Sequence, residues 1–170
     1  MKNFIALTVL LFVAGISAGQ EQTPNYSSPE ALTELMLDLI SVEIGEEPDW
    51  ELFRSLFAPG ARMMARIEQN TGETSIMDLD LEAFITRVGP NYAKDGFEEY
   101  SKGTSINEFN GIATVFQSFY CRNLKGTYEE TGINSYSLVY KDDRWWILQV
   151  LFVNASEQSP LPSKYLNSKN

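Results

Sequence analysis

Asn110-Gly111 stands between two strand-like runs, Phe97 to Phe109 and Ile112 to Leu124. A two-residue hairpin turn needs positive φ at both central positions, and Asn followed by Gly tolerates this well. A turn of that length also sets the register: it pairs Phe109 with Ile112 and, carried outward without interruption, Ser101 with Tyr120 and Tyr100 with Cys121. Ile133 to Tyr140 and Trp145 to Val153 predict a second hairpin across Lys141-Asp142-Asp143-Arg144. With a loop of two or four residues, Asn134, Tyr136, Leu138 and Tyr140 share a face with Trp145, Ile147, Gln149 and Leu151; a three-residue loop reverses that assignment. The other face carries Ile133, Val139, Trp146, Leu148, Val150 and Phe152. Both faces are largely apolar and both need a cover, helices on one and a second subunit on the other.

Upstream the periodicity is helical. Ser28 before Pro29 and Glu30 supplies a capping hydroxyl and a proline where its missing donor costs nothing. Leu32, Leu35, Met36, Leu39 and Val42 then follow at spacings of three or four, with Gly45 as the expected close. Asp49 caps a short second helix carrying Trp50, Phe53, Leu56 and Phe57, which Ala58-Pro59-Gly60 is expected to stop. Ala61 to Glu68 reads as a strand, Asn70 to Gly72 as a turn, and Leu79 to Val88 as a third helix ended by Gly89-Pro90. Helices followed by a long meander predict an α+β fold, a cone-shaped curved antiparallel sheet whose wide end is closed by about three N-terminal helices.

Composition narrows the chemistry. A chain of 170 residues with 44% hydrophobic side chains is sized for one domain and buries roughly 68–70% of its unfolded surface without disulfides or metals. The formal charge of -10 repels phosphate backbones, and no cluster of Lys and Arg offsets it, so nucleic acid is not an expected partner. The absence of histidine removes every Ser-His-Asp and Cys-His mechanism and the common zinc sites. Neither metal nor cofactor is expected. Cys121 is alone, cannot form an internal disulfide, and belongs in the core of an apolar strand.

Residues 1–19 have the form of a signal peptide: Lys2, an apolar run from Phe4 to Val13, and small residues up to Ala18 and Gly19, either of which can precede the cut. The apolar stretch falls short of the ~20 residues that span a bilayer. The expected product is periplasmic or secreted, with no stable membrane insertion once the leader is removed. Residues 20–27 form a linker, residues 28–153 the folded domain, and residues 154–170, rich in Ser, Pro and Lys, a surface tail.

Several strings carry a resemblance: Leu56-Phe57-Ala58-Pro59-Gly60-Ala61, Gly111-Ile112-Ala113-Thr114-Val115-Phe116, Gly132 to Val139, Asp143-Arg144-Trp145-Trp146-Ile147, and Pro160-Leu161-Pro162 with Lys164-Tyr165-Leu166. In order and spacing they resemble the nuclear transport factor 2-like superfamily, specifically its SnoaL-like bacterial members, over nearly the whole chain from Ser28 to Leu166. The resemblance implies a cystatin-like α+β roll, a pocket between sheet and helices, and a homodimer packed through the sheet. Enzymes of this superfamily use pocket carboxylates with tyrosine, asparagine or arginine partners. Here the runs Ile112 to Leu124, Ile133 to Tyr140 and Trp145 to Val153 contain no Asp or Glu, and the histidine of scytalone-dehydratase-like chemistry is missing.

The remaining strand acids are Glu68, Glu98, Glu99 and Glu108; of the adjacent pair Glu98 and Glu99, one must point inward if the other points out. Helix acids Asp38 and Glu43 fall beside the apolar stripe and are expected in solvent. A binding pocket draws on Asn134, Tyr136 and Gln149 as neutral donors and acceptors, with Trp50, Phe84 and Tyr100 or Tyr120 as aromatic wall and Arg66 for an anionic group. Each has an ordinary alternative: aromatics as core, amides bonded to backbone, Arg66 paired with Glu68 or Glu108. Three functions stay open: a small-molecule binder without catalysis, a lyase or isomerase using Glu98 or Glu99 with tyrosine, and an interaction module docking through the sheet face.

Overall fold

The structure, a computed structural model, describes residues 24–69 and 71–166. The expected leader, the start of the linker, Asn70 of the expected turn and residues 167–170 of the tail lie outside these residues.

Helix α1 spans Pro29–Ile40, and the Ser28 hydroxyl accepts from the Ala31 amide at 3.1 Å, as the capping reading expects. It ends before Val42 and Gly45. The Val42 amide donates to Phe97 O at 2.8 Å and the Phe97 amide to Val42 O at 3.0 Å, so pairing with the start of the meander replaces a further helical turn. Helix α2 spans Trp50–Ser55, capped by Asp49, which accepts from the Leu52 amide at 2.9 Å. The helix stops at Ser55, ahead of Ala58-Pro59-Gly60, so Leu56 and Phe57 fall outside it: strand β1 spans Phe57–Glu68, and Ala58-Pro59-Gly60 lie in a bulge between the pairs Phe57/Ile147 and Arg62/Gln149, with Gly60 at φ 80°.

Strand β2, Thr74–Asp80, was not expected and forms an antiparallel edge on β1. Helix α3 spans Leu81–Asp95 rather than Leu79 to Val88. Asp80 caps it by accepting from the Ala83 amide at 2.8 Å. It continues through Pro90, whose ring costs the Thr86 carbonyl its donor on an exposed flank of the helix. Strands β3 Glu98–Phe109, β4 Ile112–Arg122, β5 Glu129–Lys141 and β6 Arg144–Asn154 complete the sheet, in the order β2-β1-β6-β5-β4-β3. The fold is the expected α+β curved sheet with three helices, but it is mixed rather than wholly antiparallel, because β1 runs parallel to β6.

Both hairpins turn on two residues. Asn110 and Gly111 have φ of 47° and 81°, Asp142 and Asp143 of 54° and 59°. Each register then slips by one. In β3 a bulge at Lys102 shifts the pairing to Tyr100/Tyr120 and Glu99/Cys121, and in β6 a bulge at Leu148 pairs Ser137 with Gln149 and Tyr136 with Val150. A one-residue slip exchanges the faces of everything beyond it.

The inner face of the sheet packs Val115, Tyr136, Leu138, Ile147 and Val150 against Leu32, Met36, Phe53 and Phe84 of the helices. Part of the outer face is covered by the chain's own tail. The short 3-10 turn Ser163–Tyr165 lies on it, with Phe116 and Tyr165 ring centroids 5.2 Å apart and the Ser118 hydroxyl donating to Tyr165 O. Among the described residues no helix is long and apolar enough to cross a membrane.

Candidate functional site

Between the inner face of the sheet and α3 lies a cavity of about 810 Å³. Its walls are mostly apolar: Met36 and Ile40 from α1, Met63 from β1, Phe84 and Tyr92 from α3, and Phe119 from β4. Phe97 closes one side, stacked on Tyr92 at 4.2 Å between ring centroids.

Glu99 is the polar centre of this space. The bulge at Lys102 turns it inward opposite Cys121, while Glu98 points outward and pairs with Arg122 at 2.7 Å. Its backbone is held from α1: the Ser41 hydroxyl accepts from the Glu99 amide at 3.0 Å and donates to Leu37 O at 2.9 Å. Its carboxylate accepts from Asn134 Nδ2 at 2.8 Å. Burial pushes the Glu99 carboxyl up to about 7, against the opposing pull of the Asn134 hydrogen bond. The same burial, reinforced by the charge of Glu99, pushes the Cys121 thiol up to about 12 and raises Tyr92 well above the ordinary phenol range. A carboxyl so placed holds or releases a proton near neutrality, whereas the thiol stays protonated and unreactive.

Of the eight residues singled out in the sequence, Arg66, Phe84 and Asn134 line this cavity. Arg66 sits on the rim, half exposed and bonded to Glu68 at 3.1 Å. The others are placed elsewhere. Tyr136 is fully buried beneath the cavity, donating to Gln117 Oε1 at 2.9 Å. Gln117 in turn donates to Glu34 at 3.0 Å, and burial raises the Glu34 carboxyl. Trp50 wedges against Gly89, edge-on to Phe53 at 5.4 Å. Tyr100 and Tyr120 pack against each other on the outer face, their rings tilted and 5.3 Å apart between centroids, and the Tyr120 hydroxyl donates to Glu129 at 2.8 Å. Gln149, beyond the second bulge, pairs with Ser137 and Arg62 outside the cavity.

Sequence reasoning admitted Glu99 only as one of two alternatives and missed Tyr92, Tyr128, Asn154 and Glu34. Tyr92 lies past the expected end of α3, so its missing signal was the continuation of the helix through Pro90. Among the described residues no group of three His, Cys, Asp or Glu side chains gathers as metal ligands would.

No protein-family model and no curated protein matches the sequence. Solved structures do match in fold. A domain of unknown function with a cystatin-like fold from Nostoc punctiforme superposes with a TM-score of 0.54 at 15% identity, covering 74% of each chain. A proposed scytalone dehydratase from Novosphingobium aromaticivorans gives 0.54 at 14% identity over 75% of this chain and 81% of that one. An NTF2-like protein of unknown function from Methylobacillus flagellatus gives 0.50 at 14% identity over 74% and 90%.

Proposed function

The chain has the nuclear transport factor 2-like, cystatin-like fold, and we propose that it binds a small, partly apolar molecule in the cone cavity. One observation carries this reading: a carboxyl-amide pair, Glu99 with Asn134, set among the apolar side chains of a cavity of about 810 Å³ whose lining also includes Asp95, Glu130 and Arg87. Apolar walls with a few fixed polar groups are the usual make-up of a small-molecule site. The test is native mass spectrometry of protein purified gently from its own host. A reproducible added mass supports the reading; an empty chain, together with no stabilisation by any member of a ligand library, removes it.

A second reading rests on Glu99 itself. A buried carboxyl that titrates near neutrality is suited to moving a proton, so a lyase or isomerase using Glu99 with Tyr92 is the enzymatic alternative. Turnover abolished by Glu99→Gln with binding retained favours it over simple binding.

We further place the mature protein outside the cytoplasm, on the strength of Lys2, the apolar run and the small residues before Gln20; N-terminal sequencing of the native product checks this. A homodimer through the outer sheet face is supported by the exposure of Ile112, Phe116 and Leu151 there.

A further inference from the structure

We propose that the ligand is a hydrophobic amine, its ammonium group held by Glu99 and its apolar body by the cavity walls. This rests on the binding reading above and names the class of molecule.

Three observations converge. First, among the described residues Glu99 forms no ion pair, although its carboxylate opens into the cavity and has only the Asn134 amide as a side-chain donor. A carboxylate taken from water and left without a cation is costly, and a bound cation relieves that cost. Second, the cavity lining includes aromatic rings and a soft atom: the stacked pair Tyr92 and Phe97, Phe119 of β4, and the Met36 thioether. Aromatic faces attract ammonium groups and repel carboxylates. Third, the protein as a whole carries a formal charge of -10, a field that draws cations toward any opening.

The other charged and titratable groups in the cavity fit this assignment. From α3 come Tyr92, Asp95 and Arg87, from β4 Cys121, and from the start of β5 Glu130. Asp95 is held by Lys125 at 2.7 Å, and on β1 Arg66 is held by Glu68 at 3.1 Å. The Tyr128 hydroxyl and Asn154 amide line the cavity as neutral groups that can solvate an amine's remaining protons. Arg87 is the one cationic wall residue without an ion pair among the described residues; it is exposed, at the mouth, so an anionic ligand would seat there rather than at Glu99.

Binding is read by titration calorimetry with three probes of one shape: 2-phenylethylamine, 2-phenylethanol and 3-phenylpropionate. At about pH 8, where Glu99 is charged, the amine is expected to bind about tenfold or more tightly than the alcohol. That advantage shrinks toward pH 5, where Glu99 is protonated, and disappears in Glu99→Gln. A second measurement needs no variant: near pH 7 the amine expels the Glu99 proton, so the apparent heat depends on the buffer's ionisation enthalpy, whereas the alcohol's does not. Equal or tighter binding of the alcohol overturns the amine assignment and leaves the cavity reading standing. Preference for the carboxylate overturns it in favour of Arg87. Silence of all three at millimolar concentration also overturns it, and the cavity reading is then decided by the host-purified protein alone.

Discussion

Glu99 shows how much one residue's surroundings decide. Its cross-strand partner is Cys121, its hydrogen-bond donor is Asn134, and its backbone is clamped by Ser41, so the side chain cannot swing to water without breaking a buried pairing. With a native pKa near 7 against 4.5 unfolded, the folded chain holds a proton that the unfolded chain has already released between those values. Stability from this group is therefore full below about pH 4.5 and falls as pH rises toward 7, by about 3 kcal/mol in total. Glu99→Gln keeps the acceptor for Asn134 and removes the titration. Urea unfolding across about pH 4.5 to 8 should show the wild type declining relative to the variant, with the variant the more stable of the two above neutrality. Parallel profiles would mean that Glu99 ionises as an ordinary surface acid. Raised Glu34 adds a decline of its own, but it is common to both proteins and cancels in the comparison.

At the scale of elements, what the sequence made legible was local and what it hid was not. Ser28 and Asp49 cap helices with bonds that span three residues, and Asn110-Gly111 closes a turn with its own dihedrals; each signal sits where its consequence does. The α+β order, both hairpins and the burial of Cys121 follow from such signals. The bulges at Lys102 and Leu148 carry no comparable mark, because they answer to the curvature of the whole sheet, and they moved Tyr100 and Gln149 out of the site and Glu99 into it. Strand β2 was hidden for a similar reason: it is an edge strand, mostly exposed, that pairs with β1. The bulge in β3 thus sets which side chain enters the site: Lys102 is the extra residue that brings Glu99, not Tyr100, opposite Cys121. Deletion of Lys102 leaves a regular ladder with the same pairs, Tyr100 opposite Tyr120 and Glu99 opposite Cys121, so Glu99 stays in the cavity. The expected cost is about 0.5–3 kcal/mol in urea unfolding, from the lost local bend of the strand. The Glu99-dependent decline with pH should survive in the deleted chain; its loss would show that the strand re-registers and turns Glu99 out of the cavity.

For the whole molecule, the question is what covers the outer face of the sheet. Phe116, Leu151, Leu148 and Ile112 remain partly or largely exposed there, and the tail reaches only part of them, through Tyr165 on Phe116 and the hydrogen bond from Ser118. A second copy packing face to face would meet the same Phe116, so tail and partner compete for one apolar surface. Two bodies of formal charge -10 also repel, and that repulsion is screened over about 8 Å at physiological ionic strength. Self-association should therefore tighten as salt is raised, the opposite of an interface built on surface ion pairs. Removing residues 157–170 keeps the Ala155 amide bonded to Thr131 O at 2.7 Å and frees the face beneath Tyr165. Sedimentation of the shortened chain over a dilution series should show a tighter dimer than the full chain, by about tenfold for an aromatic contact no longer in competition. A weaker dimer would instead make the tail part of the interface, laid by each copy across the seam between them. A monomer at every concentration and salt would leave the tail as the cover this face requires.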